Sequence, residues 1–446
     1  MIFSSIEFII FFFVFVLSII IFPRFQRFNI IFFSFVFYSF WKPIFSFIIV
    51  YLILISYFSL KKDFKLKISI PLLLIPLIYF KYSSFIFEVF KINSTSFLNY
   101  SSGLPLGISF ITFTAIALLV DIKKKIFLGK LELSNLSEFI FYFPQLIAGP
   151  ILRANQLVPL LKKKIVFKKE NIKFGIFLFL IGFTKKVFFA DTIAQLIDPI
   201  FLSPLNFSNE YILIAALLFP LQIFFDFSGY VDMALGISNI LGIQLPINFD
   251  RPYLSKSLTE FWRRWHITLS RWFRDYVYIP LGGSKEGEIK TYYNLIITMT
   301  VAGLWHGSSW NFVLWGLIHG LLLCLEKLNF FLKLNNFLPN IFLIFLTCFI
   351  VFNLWVVFRI SDFNNLKLFF EILYSGNLQI YNVKVLYALL VLLLGLYSQK
   401  YDNYIFIEKF SKKINLKLLI PLAISILLSG FLLSLGTSEK FIYFDF

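Results

Sequence analysis

Cysteine and histidine are scarce in this chain: 446 residues hold two of the first and three of the second. Cys324 and Cys348 stand in apolar segments without a CxxC or other ligand spacing, so neither a disulfide framework nor a metal site is indicated. Acidic residues are also few, 24 Asp plus Glu against 41 Lys plus Arg, for a formal charge of +17. HExxH, GxxxxGK[ST] and GxSxG patterns are absent, and "GGSKEGE" at 282–288 is too loose for a phosphate loop. A metalloprotease, an ATPase and an α/β-hydrolase are therefore disfavoured. The opening "MIFSSIEFIIFFFVFVLSIIIF" lacks a basic n-region and a small-residue cleavage site, which predicts a retained span rather than a signal peptide.

What is abundant is apolar side chain. The chain is 59% hydrophobic and 21% aromatic, with a mean hydropathy of +0.83, values outside the range of soluble globular proteins. The sequence predicts an all-α polytopic membrane protein of one domain, 1–446. A span needs roughly 20 apolar residues, or fewer where helices are buried among others. On that measure about 11–12 helices are expected, near 6–22, 28–41, 44–60, 68–82, 104–122, 171–190, 208–226, 291–304, 311–327, 338–358, 383–399 and 416–436.

The positive charge is explained by topology rather than by nucleic acid, because the basic residues fall in short loops. Lysine runs at 61–67, 123–130, 162–169 and 409–417 are expected on the cytoplasmic side, which puts both termini outside. "FIFYFPQLIAGPI", 139–151, lies between two such runs and holds Pro144, Gly149 and Pro150; it reads as a re-entrant hairpin covered by protein. The expected outer loops, the longest at about 83–103 and 191–209, leave no room for an extracellular catalytic domain.

Two stretches can carry chemistry. In "SLTEFWRRWHITLSRWFRDYVYIPLGGS", 257–284, Leu258, Phe261, Trp262, Trp265, Leu269, Trp272, Phe273 and Tyr276 recur at steps of three and four, predicting an interfacial helix with its arginines elsewhere on the surface. His266 follows Trp262 by four residues and so falls on the buried flank, where an imidazole suits proton transfer or a satisfied structural role equally well. In "GLWHGSSWNFVLWGLIHG", 303–320, His319 lies about 12 Å from either end of its expected helix at a rise of about 1.5 Å per residue. An ionisable group at that depth points to a cavity or pathway. Trp315 precedes His319 by one turn, and Gly316 and Gly320 form a GxxxG around it that lets another backbone come close. His306, expected between helices, has a structural reading as a partner for loose backbone groups. Asp226 and Asp232, expected at the cytoplasmic end of a span, could orient a histidine, pair with an arginine or cap a helix.

Together these two stretches closely resemble the signature of the membrane-bound O-acyltransferases, in the bacterial branch of alginate and peptidoglycan O-acetyltransferase membrane subunits. "LPLGISFITF" at 104–113, "FPQLIAGPI" at 143–151, "LQIFFDFSGYVDMALG" at 221–236, "LPINFDRPY" at 245–253 and the ending "FIYFDF" agree with it. The resemblance implies catalytic roles for His319, as general base on an acceptor hydroxyl, and for His266, which positions the thioester carbonyl or the base; a transient acyl-histidine stays open. It further implies acetyl-CoA as acyl donor, with Arg263 and Arg264 attracting its phosphates, and no metal. The expected partners are membrane lipid, an exported polysaccharide acceptor and an extracytoplasmic transferase of the GDSL or SGNH hydrolase type, with no nucleic acid. The expected location is the bacterial cytoplasmic (inner) membrane. D-alanyl transfer proteins for teichoic acids share both histidine positions, so the acyl group is not named by fold. A proton-coupled carrier and a purely structural envelope subunit are the competing classes.

Overall fold

The computed structural model describes residues 1–92, 103–129, 131–328, 338–375 and 382–434. Lys130, the tip of the expected outer loop at 83–103 and the ending "FIYFDF" lie outside the described residues. Among the described residues every regular element is a helix, and a helix occupies each of the twelve places expected for one. Five are long and apolar enough by themselves to cross a membrane: Pro43–Lys61, Leu66–Phe90, Asn209–Ile240, Asn340–Arg359 and Leu416–Ser434. Ile6–Ile21 and Pro23–Ser39 make a sixth if taken together, with a 109° bend at Pro23, whose ring cannot continue the preceding helix. Several of the rest are shorter than a straight crossing requires, as befits helices buried among others.

The chain divides into two compact units. The first comprises Met1–Phe183, Tyr230–Pro246 and Ile414–Leu432. Its centre is phenylalanine: Phe8, Phe15, Phe37 and Phe143 are buried, with Phe15 and Phe143 edge to face at 5.3 Å. Such pairs add about 0.5–1.5 kcal/mol to the burial of their area. The expected re-entrant segment folds here as two short helices, Leu133–Phe141 and Phe143–Leu146, broken at Tyr142. Its backbone is met internally: the Phe143 N–H donates to Ser34 Oγ at 3.2 Å, and Gln145 Nε2 donates to the Phe139 carbonyl at 2.7 Å. Helix Lys169–Phe183 meets the end of Asn209–Ile240 backbone to backbone, since a Cβ on Gly175 would lie 2.6 Å from the Gly236 carbonyl oxygen.

The second unit comprises Thr184–Gly229, Ile247–Lys413 and Leu433–Phe446, the last described only to residue 434. Its frame is the helical hairpin Glu288–His306 and Trp310–Glu326. The expected close approach is present: a Cβ on Gly316 would fall 2.3 Å from the Met299 carbonyl oxygen, and one on Gly320 would fall 2.8 Å from Ile296 Cα. Gly303 answers from the other helix, 2.2 Å from the Phe312 carbonyl oxygen on the same measure.

One expectation fails in this unit. The stretch 257–284 is not one continuous helix but Leu258–Arg264, Ile267–Phe273 and a π-turn Arg274–Tyr278. The break falls at His266, whose φ of 44° and ψ of 54° are left-handed, a conformation uncommon outside glycine. The extended segment that precedes this stretch holds it open. Ile267 N–H donates to the Asn248 carbonyl at 2.9 Å, and Asp250 N–H to the Arg264 carbonyl at 3.0 Å, replacing bonds that a straight helix would have made internally.

Candidate active site

His319 sits in the middle of Trp310–Glu326 with 1% of its surface exposed. Its ring lies against two indoles edge to face, Trp315 at 4.6 Å and Trp262 at 5.1 Å between centroids. Trp262 also donates its Nε1–H to His319 Nδ1 at 3.3 Å. The short helix that carries Trp262 is fixed by Glu326, seven residues along from His319. The Glu326 carboxylate accepts the backbone N–H groups of Leu258 and Thr259 and the Thr259 hydroxyl, so one side chain satisfies the open start of that helix. Ser257 Oγ adds the Glu260 N–H at 3.0 Å. The helix bearing His319 thus caps the helix bearing its hydrogen-bond donor.

His266 is fully buried. Its Nδ1 is 3.3 Å from Asn248 Oδ1, which also accepts the Thr268 N–H at 3.0 Å and the Thr268 hydroxyl at 2.9 Å. Phe227 meets its face edge-on at 4.7 Å. Burial pushes this imidazole well below its ordinary value, so the ring is neutral across the physiological range. It is the helix break, and not the i, i+4 relation to Trp262, that sets where His266 points.

The two histidines are far apart along the chain, 53 residues from one to the other. They belong to one run of touching rings: His266 to Trp305 at 6.1 Å, Trp305 to His306 at 4.9 Å, His306 to Trp315 at 5.4 Å, and Trp315 to His319. His306 is therefore not in a connection between helices, as expected, but is the buried last residue of Glu288–His306 and the middle of this run.

Beside the run lies a cavity of about 310 Å³. Trp262 and His306 line it, with an apolar wall of Leu269, Phe273, Met299 and Leu323 and polar groups from Ser270 and Thr298. Its charged members are Arg263, Arg274 and Lys327, with no carboxylate among the lining residues. Arg274 pairs with Asp275 at 2.7 Å, whereas Arg263 and Lys327 have no ion-pair partner among the described residues. Of the two arginines expected to meet phosphate, the structure brings only Arg263 to this wall. Arg264 turns to Glu260 at 2.6 Å and to the Arg251 carbonyl.

Asp226 is also placed differently from expectation. It lies within Asn209–Ile240, not at a helix end, and it pairs with Lys186 at 2.6 Å. Sequence reasoning missed Trp262, Asn248 and Glu326 as parts of the site. The pattern Ser257-x-x-Glu260 is a helix-start signal that would have argued for a new helix at 258. Nothing local marks Asn248 or Glu326, whose partners are 18 to 20 and 67 to 68 residues away.

A model of the membrane-bound O-acyltransferase family matches residues 28–369, most of the chain. The chain belongs to the membrane-bound O-acyltransferase family. It is a multi-pass membrane protein. A "Probable alginate O-acetylase" of Azotobacter vinelandii is 41% identical over 255 residues, 56% of this chain and 50% of that protein. A "Peptidoglycan O-acetyltransferase" of Helicobacter pylori is 37% identical over 314 residues, 64% of this chain and 59% of that protein. A "Teichoic acid D-alanyltransferase" of Bacillus subtilis is 34% identical over 249 residues, 52% of this chain and 60% of that protein. The chain thus spans little more than half the length of the curated relatives it matches.

Proposed function

We propose that this protein is an O-acyltransferase that moves an acetyl group from a cytoplasmic thioester, acetyl-CoA, to hydroxyls of an exported polysaccharide. His319 is its central catalytic residue and His266 its partner. The observation that carries this reading is the double position of Trp262. It walls the cavity that Arg263 and Lys327 also line, and its N–H is hydrogen-bonded to the buried histidine. A phosphorylated thioester suits that cavity: Arg263 and Lys327 offer charge to phosphate, and the apolar wall receives the acyl end. Acetyl is preferred over D-alanyl because the alginate relative has the higher identity, 41% against 34%. Polysaccharide recognition falls to a separate extracytoplasmic transferase of the GDSL or SGNH hydrolase type, and the setting is the bacterial cytoplasmic membrane.

The test is release of free coenzyme A from acetyl-CoA by the purified protein in lipid vesicles, with its extracytoplasmic partner and polysaccharide present. The expected result is turnover in the wild type and its loss in a folded His319→Ala variant. Thioester consumption that survives that substitution removes His319 from the reaction. A wild type inert toward both acetyl and D-alanyl donors overturns the acyl-transfer reading.

A further inference from the structure

The two histidines are each held by a group whose hydrogen-bonding sense is fixed by its chemistry. An indole N–H only donates. Since Trp262 Nε1 reaches His319 Nδ1 at 3.3 Å, that nitrogen holds a lone pair and the ring proton of the neutral imidazole is on Nε2. At His266 the sense is opposite. The side-chain atom of Asn248 that meets the Thr268 backbone N–H at 3.0 Å must be the amide oxygen, because that N–H can only donate. The same oxygen is 3.3 Å from His266 Nδ1, so that nitrogen carries the proton and Nε2 holds the lone pair.

We infer that Trp262 is a positioning residue that fixes His319 as its Nε2–H form, making it a hydrogen-bond donor to the acyl oxygen during transfer, while Asn248 fixes His266 as the proton acceptor. The inference rests on the acyl-transfer reading and divides its labour differently from a general base at His319. As the acceptor hydroxyl oxygen bonds to the thioester carbonyl carbon, its proton passes to His266 Nε2. The negative charge that collects on the carbonyl oxygen is met by His319 Nε2–H. The carbon–sulfur bond then breaks, the carbonyl re-forms, and the thiolate takes the proton from His266. His319 begins and ends with the same proton, so a neutral ring at this depth suffices, and no imidazolium need form there.

Because the chain has only three histidines, the assignment can be read directly. The experiment is ¹⁵N magnetic resonance of ¹⁵N-histidine-labelled protein in lipid nanodiscs, with the signals assigned through His306→Asn and His319→Asn variants. The expected wild-type pattern is a proton on Nε2 and a bare Nδ1 for His319, and the reverse for His266. Trp262→Phe keeps the ring in the wall but removes the donor. It should mix the two His319 forms, leave the His266 signals in place, and lower kcat by roughly 10- to 100-fold with a small change in KM for the donor. A wild-type His319 with its proton on Nδ1 overturns the inference, as does a Trp262→Phe variant with an unchanged His319 pattern or an unchanged kcat. The resonance pattern is read without turnover, so failure of the acyl-transfer reading in the coenzyme A assay is a separate outcome.

Discussion

The second unit buries ionisable groups in two ways. At the histidine run the groups are imidazoles, His319 and His266 held by directed hydrogen bonds and faced by aromatic rings. In the other place, the π-turn Thr184–Ala190 and its neighbours, the groups are paired ions. Lys186 lies 2.6 Å from both Asp191 and Asp226, and Lys185 lies 2.7 Å from Asp402. A buried neutral ring costs little and can gain or lose a proton. A buried ion is held only by its counter-ion, and removing one partner strands the other. The first arrangement suits chemistry and the second fixes structure, even though both put polar residues into an apolar fold.

Substitutions at the two places should therefore fail in different ways. The largest effect is expected at His319: replacement by Ala should lower acyl transfer by about 10²- to 10⁴-fold at a smaller stability cost, about 1–3 kcal/mol, from the Trp262 N–H left without its acceptor. Measuring turnover and midpoint on the same preparation checks both halves, and a collapse of the midpoint would erase the contrast between the two regions. Lys186→Met should do the converse, costing about 3–5 kcal/mol of stability by leaving two facing carboxylates without their cation. Asp226→Asn sharpens this point, since Lys186 keeps Asp191 and the loss in the same unfolding assay should be visibly smaller.

A lesser effect is expected where the histidine region is held by a charge. Glu326→Ala removes the acceptor of two backbone N–H groups and one hydroxyl, which should cost about 1–3 kcal/mol and loosen Trp262 from His319. Glu326→Gln, which retains one acceptor, should lose less in both stability and kcat. The smallest effect belongs to the cavity rim. Arg263→Gln with Lys327→Gln should raise KM for acetyl-CoA several-fold, about 1 kcal/mol, with kcat nearly unchanged and with the difference shrinking in high salt. An equal drop in kcat would mean that these cations act in the transition state and not in donor capture.

Much of this was legible in the sequence. Helices appear wherever apolar runs stand between lysine clusters, because the bilayer demands that pattern, and His319 stands out for its depth and flanking glycines. The remainder was hidden for one physical reason: it depends on partners distant along the chain. Nothing around His266 announces a left-handed residue, since the conformation is imposed by hydrogen bonds from 247–250. Arg263 and Arg264 are adjacent and alike, yet Glu260 one turn back claims Arg264 and leaves Arg263 to the cavity. The sequence leaves the partner of Asp226 open because Lys186, 40 residues earlier, gives no local sign that it will fold against it.

The hairpin glycines bear on how substrates enter and leave. With Gly303, Gly316 and Gly320 each pressed against the opposing backbone, the helix bearing His319 has no slack to slide or rotate against its neighbour. The seven-residue helix Leu258–Arg264 is held by hydrogen bonds instead, to Glu326 at its start and from the Asp250 N–H at its end. On the acyl-transfer reading, an acyl group that reached His319 from the cavity would have to displace Trp262, the wall residue hydrogen-bonded to that stationary ring.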